Sequence, residues 1–175
     1  MINREYKLAQ NTYSIIKNFL KSSDTILDVG SGTGLVADII RKKLGAQVSC
    51  IDIIDIGLSN PKPQLYNGKN IPFDDKTFDI TYCCFVLHHA GHKEKILREM
   101  KRVTKSRIII LEDVPESILD RVLTTFHKLI SRFRYQSSNM VFYNNKKWAE
   151  LFKKLGLKIE LSERIKKTRD LTYPV

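Results

Sequence analysis

The run Ile26-Leu27-Asp28-Val29-Gly30-Ser31-Gly32-Thr33-Gly34 is where this chain is equipped for chemistry. Ile26, Leu27 and Val29 suit a central parallel strand, and three glycines in five positions suit a turn in which backbone and ligand nearly touch. Together they read as a nucleotide-cofactor site, and the spacing separates one cofactor from another. A dinucleotide turn is G-x-G-x-x-G and holds a pyrophosphate on turn amides and a helix N-terminus. Here Leu35 stands where the third glycine would fall, and the glycines run G-x-G-x-G. No G-x-x-x-x-G-K-[ST] phosphate loop occurs in the chain, so an NTPase has no anchor. Asp28, two residues before Gly30, puts a carboxylate at the carboxyl end of the strand, where it repels a pyrophosphate and attracts an ammonium group. The turn therefore prefers a cofactor with a cationic end.

Three further segments follow in order. Ending at the eighteenth residue past Gly34, Val48-Ser49-Cys50-Ile51-Asp52 is a second short apolar run closed by an acid. Asn67-Gly68 then leads to Ile71-Pro72-Phe73 and Phe78-Asp79, and Ile80 to His89 is a fourth apolar run ending in two histidines. With Leu27 to Gly34, these segments resemble the motifs of the class I S-adenosylmethionine-dependent methyltransferases, in its small-molecule, type 11-like branch. The resemblance covers residues 25 to 112, and four motifs in order are far more specific than one glycine loop.

The resemblance implies an α/β fold, a Rossmann-like, doubly wound, mostly parallel sheet in three layers. It implies S-adenosylmethionine as cofactor and S-adenosylhomocysteine as product. By the same resemblance Asp28 and the backbone of Gly30, Ser31, Gly32 and Gly34 hold the methionine end. Asp52, with Ile53 beside it, takes the ribose, Asn67 and the Gly68 amide take the adenine, and Cys83 on the fourth strand joins the cofactor set. Where the family often has Asp, this chain has Asn67, whose amide oxygen can accept the same hydrogen bond. His88 and His89 are the candidate catalytic residues, one of them a general base toward the acceptor, with shaping of the following helix as the structural alternative. No metal site is expected, because the two histidines are adjacent and the nearby cysteines fall inside a strand.

The acceptor is expected to be a small molecule. The N/D-P-P-Y motif of nucleic-acid N-methyltransferases is absent from the fourth strand, which ends Val86-Leu87-His88-His89. Two other readings stay open. One is a methyltransferase acting on RNA or a translation-associated protein, and the other is a partner protein that binds S-adenosylmethionine without transferring methyl. The first is prompted by a net charge of +11. Lys153, Lys154, Lys158, Arg164, Lys166, Lys167 and Arg169 come closest to a basic cluster, but Glu160 and Glu163 interrupt it, and a solvated lysine-rich surface is the plainer reading. A chain of 175 residues with 42% hydrophobic content suits one domain with one core. The expected parts are 1–24 as an N-terminal helix or lid, 25–112 as the cofactor core, and 113–175 as a helical cover and last strand. The N-terminus lacks a secretory signal and no apolar run approaches eighteen residues, so a cytoplasmic protein without a membrane span is expected. The 3 cysteines, Cys50, Cys83 and Cys84, read as small core residues. Oligomeric state is not legible.

The elements that position these groups follow from hydrophobic period. A helix over 3–21 has Tyr6, Tyr13, Ile16, Phe19 and Leu20 on one side, either as a cofactor lid or as packing. Leu35 to Leu44 is a helix with positions 36, 39, 40 and 44 inward and Gly45 as its end. The turn-rich Gly57 to Pro63 stretch predicts a reduced or missing helix after the second strand. A helix over 92–104 turns Ile96, Leu97, Met100 and Val103 inward, and Arg107 to Glu112 is a fifth, fully buried strand. Pro115 and Glu116 open an amphipathic helix carrying Leu119 to Phe133, and 134–145 is the candidate mobile substrate loop. A helix from Lys146 carries Trp148, Leu151, Phe152 and Leu155, Gly156 ends it, and Leu157 to Leu161 alternates as a sixth strand. The family's seventh strand has no counterpart before Val175, so the chain is expected to be cut short there, leaving the sheet otherwise incomplete.

Overall fold

The computed structural model describes residues 2–58, 62–115 and 140–163. Strand β1 (Thr25–Val29) alternates two apolar faces, and each meets its own layer of helices. Leu27 and Val29 join Ile51, Cys83, Leu87 and the inward side of α3 (Lys93–Val103), with Trp148, Leu151 and Leu155 of the α4 region (α4, Asn145–Lys154) closing the same cluster. On the other face Ile26 joins Val48, Cys50, Ile80 and Tyr82 beneath Ile16 of α1 (Ile2–Ile16) and Ala37 and Ile40 of α2 (Leu35–Leu44). Helices on both faces of a sheet make the expected three layers.

The sheet is parallel at every pairing. Its order is β3-β2-β1-β4-β5, with β2 at Gln47–Asp52, β3 at Gln64–Leu65, β4 at Phe78–Cys84 and β5 at Thr104–Leu111. The order reverses between β1 and β4, and in open sheets of this kind ligands bind in the crevice at the carboxyl ends of the strands at that reversal. The glycine turn after β1 and the histidines after β4 both sit there.

Local signals set most boundaries. α2 begins after Gly34 and ends at Gly45, both left-handed, and α4 begins at Asn144, whose side chain accepts from the Lys147 amide at 2.9 Å. α3 buries Ile96, Leu97, Met100 and Val103, the four expected residues. No helix forms among the described residues between β2 and β3, in keeping with the turn-rich stretch there.

Three expectations about the elements are corrected. α1 stops at Ile16 and a single 3-10 turn, Lys17–Phe19, finishes the segment; Ala9, Thr12, Ile16 and Leu20 are its buried face while Tyr6 is 43% exposed. β5 starts three residues earlier than expected and is half-buried along its apolar stretch, because it is the edge strand of the described sheet. Leu157 to Leu161 is no strand: it pairs with no described strand, Ile159 and Leu161 stay exposed, and its tie to β5 is the Arg107–Glu160 ion pair at 3.1 Å. The alternation is present, but a strand without a ladder partner has no backbone bonds to hold it. Further corrections, at His88 and Cys83, belong to the site. The amphipathic helix over 116–133, the first half of the 134–145 loop and the basic residues Arg164, Lys166, Lys167 and Arg169 lie outside the described residues. Among those described, no helix is long and apolar enough to cross a membrane.

Candidate functional site

The turn after β1 is built on backbone. The Gly30 and Ser31 amides donate to the Ile51 carbonyl of β2 at 2.9 and 3.1 Å, and the Gly34 amide donates to the Ser31 carbonyl at 2.8 Å. Gly30 holds φ +76°, and a Cβ there would lie 2.6 Å from both γ carbons of Val86. At Gly32, φ +53°, an added Cβ would meet nothing within 4 Å, so the turn is open on that side. The Ser31 hydroxyl is buried and bonds no group among the described residues.

Asp52 closes the turn from the end of β2. Its Oδ2 accepts from the Gly32 amide at 2.7 Å and its Oδ1 from the Ile53 amide at 2.7 Å. Ile53 is 61% exposed, and a Cβ on Gly68 would stand 3.1 Å from its Cγ2, so the two share one side of the opening. Asn67 is also at this edge, but its oxygen accepts from the Lys69 and Asn70 amides at 2.9 and 2.8 Å. The acceptor expected to meet an adenine amino group is thus committed to its own turn.

Asp28 lies beneath the turn, 3% exposed, accepting from the Tyr82 hydroxyl at 2.6 Å. Burial pushes its carboxyl up to about 7, against the pull of the Tyr82 bond and with help from the Asp52 charge. An unfolded aspartate titrates near ~4. The folded value is the higher one, so the contribution of Asp28 to stability is full below the unfolded value and lost as pH rises through about 7. Asp28→Asn is therefore expected to gain more stability over the parent at pH 8 than at pH 5 in urea unfolding. An equal difference at both pH values would show that Asp28 does not titrate in this window.

The two histidines part company. His88 is 1% exposed, its Nδ1 donates to Oε2 of Glu112 at 2.6 Å, and its ring stacks on Phe142 at 4.7 Å. A base must reach the acceptor, so the catalytic expectation for His88 is corrected: it is a packed structural group. His89 is half-buried, its amide bonded to the Val86 carbonyl at 2.9 Å, at the carboxyl end of β4. Cys83 is corrected too. It is fully buried in the cluster against α3, and burial pushes its thiol well above the usual range, so the side chain belongs to the core. Sequence reasoning missed Tyr82, Val86 and Glu112. An acid just past the end of β5 repeats the placement of Asp28 and Asp52, and that repetition was the available signal.

A glycine turn at the reversal point of a doubly wound parallel sheet, clasped by a carboxylate from the next strand, defines a nucleoside-cofactor domain of Rossmann-like type. Residues 27–111 match the family model described as "Methyltransferase domain". Over those residues the chain is similar to the class I S-adenosylmethionine-dependent methyltransferases. It is 32% identical over 112 residues to the ubiquinone/menaquinone biosynthesis C-methyltransferase UbiE of Xylella fastidiosa strain M12, covering 55% of this chain and 44% of that one. It is 27% identical over 133 residues to the sarcosine/dimethylglycine N-methyltransferase of Aphanothece halophytica, covering 64% and 47%. It thus spans about half the length of the curated relatives it matches. In fold it is similar to a SAM-dependent methyltransferase from Aquifex aeolicus, with a TM-score of 0.61 at 24% identity over 82% of this chain and 78% of the other. The family's cofactor fits the residues present. The buried Ser31 hydroxyl lacks a partner among the described residues, the side of the turn at Gly32 is open, and Asp52 is an acceptor at its rim.

Proposed function

We propose that this chain transfers a methyl group from S-adenosylmethionine to a small-molecule acceptor. The observation that carries this reading is the clasp of the glycine turn by Asp52, with an unsatisfied hydroxyl and an open face beside it. Bound there, the cofactor supplies a methyl on a sulfonium, so the chemistry is one in-line displacement. The protein's part is to orient and to exclude water. The Ser31 hydroxyl and the open side of the turn at Gly32 take the methionine end above Asp28, Asp52 accepts from the ribose hydroxyls, and Ile53 and Gly68 flank the adenine. Asn67, its oxygen engaged, offers its amide N–H groups there. His89 takes a proton from the acceptor as the new bond forms.

The relatives' names support a small acceptor and leave its atom open, since one is a C-methyltransferase and the other an N-methyltransferase. Three free cysteines suit a reducing, cytoplasmic setting. The test is methyl transfer from labelled S-adenosylmethionine to a panel of quinol, amine and carboxylate acceptors. His89→Ala is expected to lower kcat by about a hundredfold, within the range for a lost general base, with cofactor affinity nearly unchanged. Unchanged turnover would remove the base assignment, and no transfer to any acceptor would favour a non-catalytic binding protein.

A further inference from the structure

We propose that Glu112 is a positioning residue for the methyl-transfer site, setting from the end of β5 the turn after β4 that closes the glycine loop on one side and presents the acceptor side on the other. The inference rests on the methyltransferase reading and concerns a residue that touches neither cofactor nor acceptor. The Glu112 side chain is buried, and its carboxylate is committed three times. Oε1 accepts from the Val86 and Leu87 amides at 2.8 and 2.6 Å, and Oε2 accepts from Nδ1 of His88 at 2.6 Å. A buried carboxylate bonding two consecutive amides and a ring nitrogen fixes the path of the chain as well as its own position.

That path needs fixing. The Phe85 amide extends the β4–β5 ladder by donating to the Leu111 carbonyl at 2.7 Å, yet Phe85 has φ +58°. For a bulky residue this left-handed conformation is strained, and it persists where surroundings over-determine it. Glu112 is the group that bonds the two amides directly after it.

Two consequences reach the site. Val86, held by its amide, presses on Gly30 so closely that no Cβ fits between them, which sets the height of the glycine turn. His88, held by its ring, stacks on Phe142, and its carbonyl accepts from the Val141 amide at 3.0 Å. The segment leading into α4 is pinned there, with Tyr143 against Trp148 at 5.2 Å. One carboxylate thus joins the cofactor turn to the described end of the candidate substrate loop.

The test is calorimetric titration of the parent, Glu112→Ala, Glu112→Asp and Glu112→Gln with S-adenosylhomocysteine, each checked for folding by circular dichroism. Glutamine keeps an oxygen for the two amides, and its N–H can donate to His88 Nδ1 once the ring carries its proton on Nε2. Its affinity is expected within about threefold of the parent, whereas Ala and Asp, which withdraw the acceptor, are expected to lose about tenfold or more. A merely structural role would lower the melting temperature and leave affinity alone. Folded Ala or Asp variants that bind within about twofold of the parent would overturn the proposal while leaving the methyltransferase reading intact. If the Ala variant does not fold, the Asp variant decides. A folded parent that fails to bind would overturn both.

Discussion

Gly30→Ala is expected to abolish measurable S-adenosylhomocysteine binding and to destabilise the fold by about 2–5 kcal/mol, the sum of a left-handed alanine and an overpacked contact. Two independent costs meet at this residue. Its φ of +76° is one, and the Val86 γ carbons 2.6 Å from an added Cβ are the other. Because the turn amides on either side bond Ile51, the strain cannot be relieved without moving β1 or the turn after β4. Gly32→Ala is the control within the same turn. Its Cβ would enter open space, so the stability cost is the backbone part alone, about 1–2 kcal/mol, while the methyl group would intrude on the face left to the cofactor. Urea unfolding and direct titration separate the two. A Gly30→Ala protein as stable as Gly32→Ala would mean that Val86 does not set the turn.

The second large effect is expected at Asp52. Asp52→Asn should weaken S-adenosylmethionine binding by about a hundredfold, in line with the loss of charge-assisted hydrogen bonds in a site that depends on them. Asp52 serves twice in the proposed site: it clasps the Gly32 amide from one side and the Ile53 amide from the other, and its remaining lone pairs are the ones proposed to take the ribose hydroxyls. An amide side chain accepts through one oxygen only, so one of the two backbone N–H groups loses its partner and the turn loosens. Stability should fall by about 1–3 kcal/mol at the same time. Equal affinity of parent and variant in a direct titration would count against the ribose role.

What was legible in the sequence and what was not divides along a physical line. Strands buried on both faces, helices with one apolar stripe and glycine ends are local patterns, and β1, α2, α3 and α4 lay where those patterns put them. The glycine turn and Asp52 were legible because backbone geometry and strand length fix their relation. Side-chain facing in a strand is parity, and Cys83 shares the parity of the residues packed against α3. Being near the end of the strand was not enough to bring its thiol to the site. Two adjacent histidines carry no signal for which one turns inward; that was decided by Glu112, twenty-four residues away, and by the left-handed turn at Phe85. Leu157 to Leu161 had the alternation of a strand, but alternation states a preference and pairing requires a neighbour. Asn67 could have been read more closely, since Asn-Gly-Lys-Asn is a sequence in which the amide oxygen caps its own turn.

The most direct test of the account is calorimetric titration of the parent protein with S-adenosylmethionine, S-adenosylhomocysteine and NADH. Binding of the first two at one site per chain, with no heat from NADH, is the predicted result. A folded protein that ignores both sulfur nucleosides would contradict it, because the turn at Gly30 to Gly34 and its clasp by Asp52 would then have no ligand to explain them.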